Sequence, residues 1–162
     1  MKLVLLCFSI VLFTVTPELS LVRKQYIGAA TSEAQAGAFH KSFENITDTH
    51  HDATILAYKA ASIVLLAKYE SGLFSKTRLF NRGTKLLETA ISKDPYNYEV
   101  RLIRLNIQDN VPWITGYTGD IKADKTFLLK NYNTQPEDLK AFAKAYIIQS
   151  GTFSDKEKVA LR

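Results

Sequence analysis

The stretch DATILAYKAASIVLLAKYESGLFSKTRLFNRGTKLLETAISKDP, residues 52–95, decides the fold class. Asp52 is a side-chain cap ahead of an apolar run that stops at Gly72, and Ser75 opens a second run that ends before Asp94 and Pro95. Apolar residues recur with helical period in both: Ile55, Tyr58, Ala61, Leu65 and Tyr69 in the first, Leu79, Gly83, Leu86, Leu87 and Ala90 in the second. Two or three residues of connection leave room only for a fold-back. The spacing therefore predicts an antiparallel helical hairpin in which alanines of one helix admit the bulkier residues of the other.

Capping signals continue the helical pattern on either side. Ser32 with Gln35 opens a segment ending near Asn45, and Asn97 caps one running through Asn110. Asp120 opens another through Tyr132, and Thr134 with Pro136 and Glu137 one that ends at Gly151. Ser154 with Glu157 caps a short last helix. No strand period occurs. The expectation is an all-α single domain over residues 32–162 with six to seven helices, preceded by a linker over 21–31.

Within the hairpin, GTKLLETAISKDPYNYE, residues 83–99, resembles the second half of a tetratricopeptide repeat. In that family a bulky residue and then an alanine near the end of the second helix precede a proline, and Leu87, Ala90 and Pro95 have this spacing. Ser71 and Ala67 stand where the family has glycine and tryptophan. The resemblance covers one repeat of about 35 residues, with no second copy at that period. It implies tetratricopeptide-like helical hairpins and a concave face that binds a peptide or protein.

Leu3 to Val15 form an almost unbroken apolar run behind Lys2, shorter than the roughly 20 residues a membrane-crossing helix needs and matched to the apolar region of a signal peptide. A signal peptide over residues 1–20 is expected, hence export to the periplasm or cell envelope. The cleavage site is not sharp: Pro17 would follow a cut at Thr16, Glu18 stands third before a cut at Ser20, and a cut after Ala30 lies far along. An uncleaved short anchor is the alternative. Cys7, the only cysteine, lies inside the run, so no disulfide can form within the chain and thiolate-ligated metals are excluded. The net charge of +5 comes from basic residues scattered along the chain, which favours acidic partners without implying nucleic acid.

Three polar groupings carry candidate chemistry. Arg101, Arg104 and Gln108 form a stripe between broad apolar flanks, where two guanidinium groups could clamp a carboxylate or phosphate, or pair internally with Glu99 or Glu88. His40, Glu44, His50, His51 and Asp52 hold imidazole and carboxylate suited to zinc, but adjacent His50 and His51 are expected to diverge, and Asp48 or Asp52 serves as a helix cap. Lys76, Arg78, Arg82 and Lys85 share a basic face suited to an anionic membrane or to solvent. The aromatics of Val111 to Gly119 either line a groove or, as the favoured expectation, plug the end of the core. No nucleophile elbow, phosphate loop or zinc-protease motif occurs. The resulting expectation is an exported, non-enzymatic helical binding protein without a cofactor, its partner a protein or peptide and its ligand site Arg101, Arg104 and Gln108. The alternative is a small metal-dependent hydrolase built on the histidine-rich region.

Overall fold

A computed structural model describes residues 18–161. Eight α-helices follow one another among these residues, and no strand: α1 Leu19–Ala29, α2 Glu33–Lys41, α3 Ala53–Tyr69, α4 Leu73–Lys93, α5 Tyr98–Asn110, α6 Ile121–Asn131, α7 Glu137–Gln149 and α8 Asp155–Val159. Single 3-10 turns at Trp113–Thr115 and Tyr132–Thr134 flank α6. The expected signal segment, as far as residue 17, lies outside the described residues.

The helix starts follow the capping chemistry. Ser32 accepts from the Gln35 amide, Asp52 from those of Thr54 and Ile55, and Asn97 from that of Val100, while Ser154 and Glu157 close a reciprocal box. Two expected starts are corrected. The helix assigned to Ser75 begins at Leu73 behind Gly72, and α7 begins after Pro136, with Thr134 left in the preceding 3-10 turn. The expected linker over 21–31 is also corrected. Residues 19–29 form α1, which buries Val22, Tyr26 and Ala29 in the same core as α2 to α5 and Arg23 against Glu99, so the domain extends back at least to Leu19.

α3 is buried along most of its length, and α4 folds back along it. At Gly83 the helices meet so closely that an added Cβ would lie 2.6 Å from Val64 Cγ2 and 2.9 Å from the Ala60 carbonyl oxygen. Glycine is required there by contact rather than by conformation. Tyr26 meets Tyr58, and Phe39 meets both Phe43 and Tyr58, edge to face, while Tyr26 lies tilted on Phe39, and all four rings belong to the core shared by α1 to α5.

α5 separates two apolar clusters. Val100, Ile103 and Ile107 belong to the core of α1 to α4, while Tyr98, Leu102 and Leu105 pack with Leu128, Leu139, Ala143, Ile147 and Phe153 from the C-terminal half. The breadth of its apolar arc in the sequence anticipates this two-sided packing. Burying both flanks forces the polar residues of α5 to find partners inside the protein.

Candidate binding groove

The polar stripe of α5 meets one carboxylate. Asp124 of α6, fully buried, accepts from Arg104 Nε at 2.7 Å and Nη2 at 2.9 Å, and from Arg101 Nη1 at 3.0 Å. Arg104 is only 5% exposed and also reaches Glu88 of α4 at 3.0 Å and Asp120 at 3.5 Å. Arg101 lies 4.4 Å over the Phe127 ring and donates to the Pro95 carbonyl. Burial opposes the Arg104 charge, but the hydrogen bonds and charge of Asp124 outweigh it and hold the guanidinium above its ordinary pKa. Gln108 donates to Asp120 and leaves its buried Oε1 without a partner.

The forked clamp expected of Arg101 and Arg104 is therefore formed, but around a carboxylate of the protein itself. Packing on both flanks of α5 encloses the stripe instead of opening it, so Arg101, Arg104 and Gln108, expected to hold an external ligand, all have partners within the protein. The expected internal pairing with Glu88 is present. The other acid considered, Glu99, pairs instead with Arg23, which donates to both of its oxygens at 2.7 Å, while Tyr58 donates to Oε1.

From the stripe the polar contacts continue outward. Glu88 accepts a hydrogen bond from the Tyr117 hydroxyl, and Tyr117 stands edge-on to Phe80 of α4. Burial, reinforced by Glu88, raises the Tyr117 pKa and keeps the phenol neutral as a donor. Asp124, Arg104, Glu88 and Tyr117 thus pin the loop 111–119 against α4. Gly116, at φ 69°, makes the left-handed turn that follows Trp113–Thr115. Tyr117 and Val111 pack inward as expected of a core plug, but Trp113 is 82% and Ile114 77% exposed, so the rest of the loop does not plug the core.

Ile114 faces a groove. An open trough of about 1300 Å³ runs between the C-terminal end of α1, the C-terminal half of α3, the first turns of α4, the end of α5 and α7. Ile27, Leu65, Phe80, Ile107 and Phe142 form its apolar wall, with Leu73 and Ile114 at its edge. Leu73 is 73% exposed and its neighbour Phe74, 91%. Such a concentration of protruding apolar side chains around a concave surface is uncommon on a surface that meets only water. The sequence carried a signal for it: once α4 starts behind Gly72, Leu73, Lys76, Thr77 and Phe80 fall on one line of the helix. With a helix start at Ser75, as the capping pattern predicts, Leu73 and Phe74 fall in the preceding turn, outside this line.

The histidine-rich region is distributed among local contacts. His40 Nδ1 bonds Ser62 Oγ at 3.0 Å, and burial, with the charges of Arg82 and Lys59, lowers its pKa. His50 Nδ1 accepts from the Asp52 amide, and the two rings of His50 and His51 stack at 4.6 Å instead of diverging as expected. Asp52 caps α3, Asp48 pairs with Lys59, and Glu44 is exposed. Among the described residues no three His, Cys, Asp or Glu side chains are arranged to hold a metal ion. On α4, Lys76, Arg78, Arg82 and Lys85 are all exposed, with Arg82 3.7 Å from Asp48.

No protein-family model, curated protein or solved structure matches this chain. The groove must therefore be read from its own geometry.

Proposed function

We propose that this chain is a non-enzymatic binding protein of the cell envelope, exported by its N-terminal apolar segment, which holds an apolar protein or peptide segment in the groove. The carrying observation is the trough itself, walled by side chains of five helices and edged by the exposed Leu73 and Ile114. Burying those two side chains against a partner would contribute about 1.5–3 kcal/mol each before the costs of association. The tetratricopeptide resemblance around Gly83, Ala90 and Pro95 supports the same reading, because stacked helical hairpins present concave faces to peptides. In this reading the leader is the segment 1–20 and the cut does not fall after Ala30, since that would take Arg23 away from the buried Glu99. No described helix is long and apolar enough to cross a membrane.

The test is site-directed photocrosslinking in cells of the source organism. A photoreactive residue at Thr77, on the groove wall, is compared with one at the exposed Lys122 of α6. A discrete protein adduct from position 77, absent from position 122 and lost on Leu73→Asp with Ile114→Asp, is the expected result. The same adducts from both positions, unchanged by the double substitution, would overturn it.

A further inference from the structure

We infer, on the basis of the groove reading above, that the occupant is an amphipathic helix whose apolar stripe is bordered by carboxylates, with Lys68 and Lys76 facing that border. The first part follows from backbone chemistry. A bound peptide must satisfy its own amides and carbonyls, and the described residues contain no strand to whose edge an extended segment could pair. A helix satisfies them internally and presents side chains at the spacing that ridges of another helix accept. Leu73, Lys76, Thr77 and Phe80 form such a ridge along the trough, at i, i+3, i+4 and i+7. The volume of about 1300 Å³ also exceeds the roughly 300–1,000 Å³ usual for small-molecule sites.

The second part follows from charge. Asp109 is the sole carboxylate among the groove-lining residues, and its oxygens already accept from Tyr146, Ser150 and Thr152. Lys68 and Lys76 line the groove on α3 and α4, both exposed, and neither pairs with a carboxylate among the described residues. Lys68 donates to the Ala30 carbonyl, which holds its ammonium beside the end of α1 without neutralising it. The wall therefore offers apolar contact together with a net positive charge, two ammonium groups against the one carboxylate of Asp109, whose oxygens are engaged by hydroxyl donors. Acidic residues flanking an apolar stripe complement both, whereas a basic flank is repelled.

Two synthetic helical peptides with the same leucine stripe, one flanked by glutamates and one by lysines, test this by fluorescence anisotropy with the full folded protein. The glutamate peptide should bind about tenfold more tightly than the lysine peptide, lose that advantage as salt rises, and gain helical circular dichroism on binding. Lys68→Glu with Lys76→Glu should invert the preference. Leu73→Ser with Ile114→Ser should abolish binding of both, and because both side chains project into solvent the far-ultraviolet spectrum should not change. Equal binding of the two peptides, unaffected by the lysine reversals but lost in the serine variant, would overturn the acidic border while leaving the groove reading intact. No binding of either peptide, together with binding to phosphatidylglycerol vesicles that the serine variant loses, would overturn both in favour of a membrane surface.

Discussion

At Gly83 the ordinary preferences of a helix are reversed by a neighbour. Replacing a mid-helix glycine with alanine normally stabilises by about 1 kcal/mol, because alanine loses less backbone freedom. Here the new methyl would press on the backbone of Ala60 and Val64, which cannot rotate away as a side chain tip would. Gly83→Ala should therefore destabilise the protein by about 1–3 kcal/mol in denaturant melts, and a rise in stability would show that α3 and α4 do not meet at this distance. His40 gives a second expectation at this scale. Its pKa in the folded protein lies below its ordinary 6.5, through burial first and the Arg82 and Lys59 charges after it. On acidification the unfolded chain takes up a proton at that position before the folded protein does, so the stability His40 contributes is present above 6.5 and lost as pH falls through the folded value. His40→Gln, which can keep a hydrogen bond to Ser62, should flatten the fall of Tm between about pH 7 and pH 5. An unchanged slope would assign that fall to other groups.

At the scale of the element, α1 is anchored through charge. Arg23 forks onto Glu99 of α5 and reaches Asp138 of α7 at 2.6 Å, and the hydrogen bonds to Glu99 lead the causes that raise its pKa. Removing the arginine alone strands a buried carboxylate, and Arg23→Leu should cost about 3–5 kcal/mol. Arg23→Leu with Glu99→Leu should cost less than that single change, as measured by a double-mutant cycle in denaturant; a cost equal to the sum of the singles would mean the pair is not coupled. The same anchor explains why α1 was illegible in the sequence. The residue before it, Glu18, makes no side-chain capping bond, the helix follows closely on the apolar run Leu3 to Val15, and the charges that anchor it lie at residues 99 and 138. Helices that announce themselves locally, behind Ser32, Asp52, Asn97 and Ser154, were legible, because a cap is a bond between near neighbours. For the α5 stripe, the chemistry of Arg101 and Arg104 was legible and their partner was not. Asp124 belongs to another helix, and no spacing rule links the two.

At the scale of the whole molecule, the shared helix α5 decides whether the two apolar clusters are one cooperative unit. Val100, Ile103 and Ile107 pack into one cluster and Tyr98, Leu102 and Leu105 into the other, so a displacement of α5 removes contacts from both. Two polar bridges cross the same divide: Arg104 joins Glu88 of α4 to Asp124 of α6, and Arg23 joins α1 to Asp138 of α7. The groove has walls from both sides as well, lined by Ile27 and Phe80 of α1 and α4 and by Phe142 and Ala145 of α7, so its shape depends on this coupling. Leu128, fully buried on α6, is the probe. Leu128→Ala should destabilise by about 2–5 kcal/mol, through lost transfer energy and the cavity left behind. If the halves unfold together, the amides of α3 should lose hydrogen-exchange protection by the same free energy as those of α7, although α3 contributes nothing to the Leu128 cluster. Loss of protection confined to α6, α7 and α8 would instead mean that the C-terminal half opens by itself, and that the groove can lose the α7 wall while α1, α3 and α4 remain folded.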